Sequence, residues 1–270
     1  MTALGATERE AGDPAAGVTW VGTYGARASR PEARPELSVL VFAYDEADNI
    51  GPVLGEVLDW LAAHGPTAEL VFVDDGSRDA TAEAAARALA AADPRLGGVV
   101  LRHATNRGIG AALKTGARAS RGRWLSFLPA DGQVPPEALG ALWAARGDVP
   151  GGSRHAAPDV VFSVYDHRDD GAYRKVLSWG VRALITALHG VRVQSDGPYL
   201  LRRELFDPAQ LAPDTFFLNF ELPIRALRAG LRYAVVTVPC RPRLSGQSKS
   251  AGLSRIAGVG RDLVALRRRR

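Results

Sequence analysis

Short apolar runs alternate with stretches of helical period through the first half of the chain. Residues 37–42 form a run in which Ser38 is the one polar residue, the pattern of a parallel strand buried on both faces. Across residues 47–63 the apolar positions Ile50, Val53, Leu54, Val57, Leu58 and Leu61 recur every three or four residues and make one face of a helix. The same alternation continues. It predicts a strand at 69–73, an alanine-rich helix at 80–92 stopped by Asp93-Pro94, a strand at 98–101, a helix at 110–120 and a strand at 124–128. Strand and helix taken in turn four times imply right-handed βαβ crossovers, so the fold class is α/β with a mostly parallel central sheet flanked by helices. The second half is less regular. It predicts a strand at 160–162, an amphipathic helix at 174–189, a short helix at 220–229 ending at Gly230 and a strand at 233–238 stopped by Pro239.

Residues 1–36 carry no sustained period and are rich in Ala, Gly, Glu, Arg and Pro, so the reading is a disordered leader. The folded domain is expected over 37–250, with a partly helical basic tail over 251–270. Composition narrows the class further. A chain of 270 residues with 46% hydrophobic residues suits a soluble globular protein of one large domain. The single cysteine, Cys240, leaves no intramolecular disulfide and fits a reducing compartment. There is no apolar run of about 20 residues, and Glu8, Arg9, Glu10 and Asp13 stand where a signal peptide would be apolar. The expectation is a cytoplasmic chain able to rest on the inner face of a membrane. The net charge of +5 is modest, and four of the arginines are the terminal Arg267 to Arg270. Such a tail is either a solvated end or a contact for anionic lipid. Nucleic acid is not an expected partner, because no aromatic residues interleave with the basic tail.

Ligands on parallel α/β sheets bind beyond the carboxyl ends of the strands, and candidate polar residues lie there. Tyr44, Asp45 and Glu46 follow the first predicted strand, Asp74 and Asp75 end the second, and Asp131 follows the fourth. Asp75 can accept hydrogen bonds from a base or ribose, while Ser77 or Asp79 could cap the helix that follows. Asp131, with Gln133 two residues on, is either the turn of an Asp-Gly pair or an oxygen ligand for a divalent metal beside a diphosphate. Asn106-Arg107-Gly108-Ile109-Gly110 opens a helix, where a bare N-terminus favours an anion. Lys114 and Arg118 share one face of that helix, which a solvated surface would also explain. Arg241, Arg243 and Lys249 cluster in a Ser- and Gly-containing loop that could clamp phosphate.

Taken together these motifs resemble the family-2 glycosyltransferases with a GT-A fold, and in particular dolichol-phosphate and polyprenyl-phosphate mannosyltransferases. The likeness covers about residues 37–250. It is carried by Val39-Leu40-Val41-Phe42-Ala43-Tyr44-Asp45-Glu46-Ala47-Asp48-Asn49-Ile50, Val73-Asp74-Asp75-Gly76-Ser77-Arg78-Asp79, Asn106-Arg107-Gly108-Ile109-Gly110-Ala111-Ala112 and Arg243-Leu244-Ser245-Gly246-Gln247-Ser248-Lys249. The resemblance implies an inverting transfer of a mannose- or glucose-type sugar from a GDP- or UDP-sugar to a polyprenyl or dolichyl phosphate. It implies donor contacts from Ala43, Tyr44, Glu46, Val73, Asp75, Ala130, Asp131, Gln133, Arg243 and Lys249. Asp131, Arg243 and Lys249 would act on the leaving group, and Asp131 and Gln133 would hold Mg²⁺ or Mn²⁺. Pro129 replaces the first carboxylate of the family's Asp-x-Asp, so one metal ligand is missing. Arg168 and Arg174 are the expected contacts for an acceptor phosphate, and the helix beyond them either packs on the sheet or lies in a membrane interface. Two other readings remain at this point: transfer to a soluble glycan or metabolite, and a nucleotide-sugar-binding protein that has lost catalysis.

Overall fold

The computed structural model describes residues 17–30, 32–147, 157–166, 172–211, 214, 215, 217–243 and 253–268. The chain enters through β1 (Val18–Tyr24) and the short α1 (Gly25–Ser29). Strand and helix then alternate: β2 (Leu37–Ala43), α2 (Ala47–His64), β3 (Ala68–Asp74), α3 (Thr81–Ala91), β4 (Gly97–His103), α4 (Ile109–Ala119), β5 (Trp124–Pro129) and α5 (Glu137–Ala145). The second half adds β6 (Val160–Tyr165), α6 (Ala172–His189), β7 (Leu200–Arg202), α7 (Leu218–Arg228), β8 (Tyr233–Val238) and α8 (Leu253–Arg268).

One eight-stranded sheet runs in the order β1-β4-β3-β2-β5-β7-β6-β8. The pairs β2–β3, β3–β4, β2–β5 and β6–β8 are parallel, as crossover helices require. β1, and both edges of the short β7, pair antiparallel. Register sets the position of the site. Ala43 lies opposite Asp74, and Phe42 opposite Pro129. β2, β3 and β5 therefore end level, and the loops that follow them share one edge.

Period-two alternation in the strands divides the core between two faces. Val39, Val41, Phe72, Val100 and Leu128 face α2, α3 and α5. Leu40, Val71, Val73, Val99, Leu101 and Leu125 face α4 and α7. Each fully buried Val, Leu or Phe contributes about 1.5–3 kcal/mol of transfer free energy. A third apolar cluster joins Ile185 of α6, Phe217 and Ile224 at α7, and Leu263 and Leu266 of α8. The apolar side of α6 thus packs on two helices rather than on the sheet.

The expected disordered leader needs correction over its second part. Val18, Trp20 and Tyr24 alternate with exposed residues, a period-two signal in a β-branched and aromatic segment, and the strand covers the outer edge of β4. Behind it, the buried Arg27 pairs with Glu69 of β3 at 2.5 Å and donates to the Ala119 carbonyl at 2.7 Å. Glu69 also accepts Ser38 Oγ–H at 2.6 Å and the Arg121 N–H at 2.5 Å. This buried node lies at the starting ends of β2 and β3, away from the edge where the site forms. Residues 1–16 lie outside the described residues. α5 and β7 were also not expected. β7 is three residues long, too short for a pattern, whereas α5 follows Pro135-Pro136, a legitimate helix start.

Candidate active site

Two loops at the common strand end are sewn together. Asp45 sits in the left-handed region at φ 52°, where a short carboxyl side chain is tolerated better than most. Its N–H donates to Ser77 Oγ at 2.9 Å, and its Oδ1 accepts the Arg78 N–H at 2.8 Å. The Glu46 N–H donates to Thr81 Oγ1 at 2.9 Å, the Ala47 N–H to Asp79 Oδ2 at 3.1 Å, and Asn49 Nδ2 to Glu46 Oε2 at 2.7 Å. Ser77 and Asp79 therefore serve the loop after β2, and Ser77 does not cap α3. These bonds fix Tyr44 and Glu46 at the mouth of the site, above the buried Ala43 and Val73.

The adjacent carboxylates divide their tasks. Asp74 is fully buried and closes the turn. It accepts the Ser77 N–H at 2.9 Å and has Arg102 Nε 3.1 Å away. Burial raises its pKa, opposed by the Ser77 bonds and by Arg102. Asp75 is the centre of a different network. Its Oδ1 accepts His103 Nδ1–H at 2.7 Å and the Arg107 N–H at 2.9 Å, and its Oδ2 accepts the Gly108 N–H at 2.8 Å. His103 reaches on to Thr115 Oγ1 at 2.9 Å through Nε2. Asp75 thus holds together the end of β3, the end of β4 and the loop before α4. His103 and Thr115 were not candidates in the sequence. The only available signal was a pair of polar residues, Arg102 and His103, closing an otherwise apolar strand.

The start of α4 is not open to a ligand anion, contrary to the expectation for Gly108 and Gly110. The Gly110 N–H donates to the Asp214 carbonyl at 3.1 Å, and a side chain there would come within 2.6 Å of that peptide. Glycine is needed so that these two backbone segments can touch. Lys114, for which a solvated face was one of two readings, is buried and donates to Asp214 Oδ1 at 2.9 Å.

On the other side of β2, Asp131 follows the buried Ala130. Its Oδ1 accepts the Gln133 N–H at 3.1 Å, and its Oδ2 pairs with Arg243 at 2.8 Å. Residues distant in sequence meet here. Arg241 holds them in register. Its N–H donates to the Gln133 carbonyl at 2.9 Å, its Nε to the Gly132 carbonyl at 2.6 Å, and its guanidinium pairs with Glu56. Arg168 and Lys249 lie outside the described residues. Arg174 falls in the first turn of α6, with its side chain outside them.

The described side chains on this edge do not by themselves complete a divalent-ion site. Among the described residues no group of three or more His, Cys, Asp or Glu side chains could hold one. Asp131 brings one carboxylate, already shared between Gln133 and Arg243. Mg²⁺ and Mn²⁺ need about six oxygen ligands. The residues therefore fit an ion that a diphosphate shares, not one that the protein holds alone.

Residues 38–207 match the model for glycosyl transferase family 2. The undecaprenyl-phosphate 4-deoxy-4-formamido-L-arabinose transferase of Pseudomonas paraeruginosa is 32% identical over 237 residues, which are 84% of this chain and 64% of that protein. The dodecaprenyl-phosphate galacturonate synthase of Rhizobium johnstonii is 28% identical over 163 residues, 60% of this chain and 46% of that protein. This chain thus spans between 46% and 64% of the length of these two curated relatives. Among solved structures, glucosyl-3-phosphoglycerate synthase from Mycobacterium tuberculosis, in complex with Mn²⁺, UDP and glucosyl-3-phosphoglycerate, superposes with a TM-score of 0.61 at 23% identity, covering 88% of this chain and 80% of that one. That likeness shows a GT-A fold. With the matched segment covering more than half of its length, the chain belongs to glycosyl transferase family 2.

Proposed function

We propose that the chain is an inverting glycosyltransferase that moves a mannose- or glucose-type sugar from a nucleoside diphosphate sugar to a polyprenyl or dolichyl phosphate. The observation that carries this reading is the meeting of Arg243 with Asp131 at 2.8 Å, on the strand-end edge that also holds Tyr44, Glu46 and Asp75. In this scheme Tyr44, Glu46 and Asp75 contact the nucleoside, and Ala43, Val73 and Ala130 leave room for it. Arg243 and Lys249 clamp the diphosphate and offset the charge that develops on it as it leaves. Asp131 and Gln133 would hold a Mg²⁺ or Mn²⁺ that arrives with the donor, and that ion would add to the same charge neutralisation. An oxygen of the acceptor phosphate forms the new bond to the anomeric carbon from the face opposite the leaving group. The bond to the donor diphosphate breaks, its electron pair leaves with the nucleoside diphosphate, and the configuration inverts. The attacking phosphate is already an anion, so no general base is required.

Arg168 and Arg174 are assigned to the acceptor phosphate. The names of the two curated relatives, both lipid-phosphate sugar transferases, support the lipid acceptor. So does Trp179, which stands 73% exposed on α6 in the manner of an interfacial aromatic. No described helix is long and apolar enough to cross a membrane. One observation favours a second reading, transfer to a soluble acceptor: Val181, Ile185 and Leu188 of α6 are spent on packing against α7 and α8. A panel of GDP- and UDP-sugars with polyprenyl phosphate, assayed for lipid-linked sugar with and without Mn²⁺, separates the two. Lipid product with at least one donor is the expected result. Release of nucleotide only with soluble acceptors sinks the lipid assignment.

A further inference from the structure

Asp75 is the carboxylate assigned to the nucleoside, and its hydrogen-bonding capacity is largely used. An ionised carboxylate offers about four acceptor positions, two on each oxygen. Oδ1 already accepts two N–H groups, from His103 Nδ1 at 2.7 Å and from Arg107 at 2.9 Å. Oδ2 accepts one, from Gly108 at 2.8 Å. One position remains, on Oδ2. His103 is wholly buried, and its other nitrogen faces Thr115 Oγ1 at 2.9 Å. A carboxylate oxygen accepts, so His103 Nδ1 is the donor in its contact with Oδ1, and Nε2 shares a hydrogen bond with Thr115 Oγ1. The imidazole is held between the two partners with its Nδ1–H pointed at Oδ1.

We infer that His103, held by Thr115, is a positioning residue that sets the donor base: by saturating Oδ1 it leaves Asp75 able to accept a single N–H, which selects an imide base such as uracil over guanine. This rests on the nucleotide-sugar reading above. Guanine presents two adjacent donors, N1–H and N2–H, that pair with both oxygens of a free carboxylate. With Oδ1 filled, one guanine donor is left unpaired in a buried contact. Uracil and thymine present only N3–H, which the remaining position satisfies. Cytosine and adenine would turn a ring-nitrogen lone pair toward the carboxylate. An unpaired buried donor corresponds to about a tenfold loss in affinity.

The test is calorimetric titration of UDP and of GDP into the full chain at constant Mg²⁺, with three variants. UDP should bind the wild type at least about tenfold more tightly than GDP. His103→Leu removes the donor to Oδ1 and should shrink the UDP-to-GDP ratio by about fivefold or more. His103→Asn, whose amide can reach the position of Nδ1, should keep the ratio. A role confined to structure would lower the affinity for both nucleotides together and leave the ratio unchanged, and that result in a folded His103→Leu overturns the inference. If His103→Leu does not fold, Thr115→Val, which releases the ring at Nε2, must also shrink the ratio. Nitrogen NMR of the wild-type ring must show a proton on Nδ1, and an Nδ1 without one overturns the proposal. Equal binding of UDP and GDP by the wild type overturns it while the nucleotide-sugar reading stands. Binding of neither nucleotide removes both.

Discussion

Arg243 shares Asp131 Oδ2 with no other described cation and sits 20% exposed beside it, so its charge is both anchored and within reach of a ligand. A guanidinium pairing with a diphosphate contributes about 1.5–3 kcal/mol as a charge-assisted bond. Arg243→Ala should therefore lower kcat/KM for the donor by about ten- to a hundredfold, with the larger share in kcat if the contact strengthens as the leaving group departs. Arg243→Lys should recover only part of this, since an ammonium cannot bridge two oxygens in a plane. Steady-state kinetics over a donor series checks both. Asp131 also leads to a metal expectation. With one carboxylate and one amide at hand, Mn²⁺ should bind weakly to the free protein and much more tightly once UDP or GDP is present. Electron paramagnetic resonance of Mn²⁺ titrations, with and without nucleotide, reads this directly, and tight binding to the free protein would contradict it. Asp75 has a structural cost that its position at a strand end does not reveal. Asp75→Ala orphans His103 and the Arg107 and Gly108 amides, so it should destabilise the fold by about 2–4 kcal/mol in urea melts, besides weakening donor binding.

The junction of α6 with α8 should respond to pH through His189. His189 closes α6, and its Nε2–H donates to the Leu263 carbonyl at 3.1 Å. Its Nδ1 is buried with no partner among the described residues. Burial pushes its pKa below the ordinary 6.5, and Arg228 and Arg267 push it the same way, against the Leu263 bond. The folded chain then resists a proton that the unfolded chain accepts. Stability is full above about pH 6.5 and falls as pH drops below it, down to the depressed folded value. Hydrogen exchange should show α8 losing protection between pH 7 and pH 5.5 ahead of β2 and β3, and His189→Gln should remove that dependence. At the other end of the domain, Arg27→Ala would leave the buried Glu69 with Arg121 Nε at 3.5 Å as its remaining cation, so the loss should stay below the about 3–5 kcal/mol of a buried pair that loses its one partner. Chemical denaturation would measure it.

At the scale of the whole molecule, the sequence was most legible where one physical rule acts alone. The strands at 37–43, 68–74, 97–103 and 124–129 were readable because both their faces are buried, and α2 because its face is regular. β1 was missed because its alternation lies in a Gly- and Arg-containing stretch that reads as leader by composition. Within the site, Asp131 and Arg243 were found through motif likeness, and the fold then brought them into contact. The roles of Gly110, Lys114 and Asp214 were not legible, because they depend on a backbone segment far along the chain. Nor was His103, whose neighbours Asp75 and Thr115 meet only once β3, β4 and α4 are packed.

β1 has a practical consequence for anyone shortening this protein. The family match begins at Ser38, which invites a cut just before Leu37. Such a chain would lose the strand that covers β4 and would expose a seven-residue, mostly buried β-edge. Bare edges of this kind recruit one another, so the shortened protein should sediment as higher oligomers or precipitate, whereas a chain beginning at Gly17 should stay monodisperse at the same concentration. Light scattering on the two would show whether the boundary drawn by family likeness is also a boundary for folding.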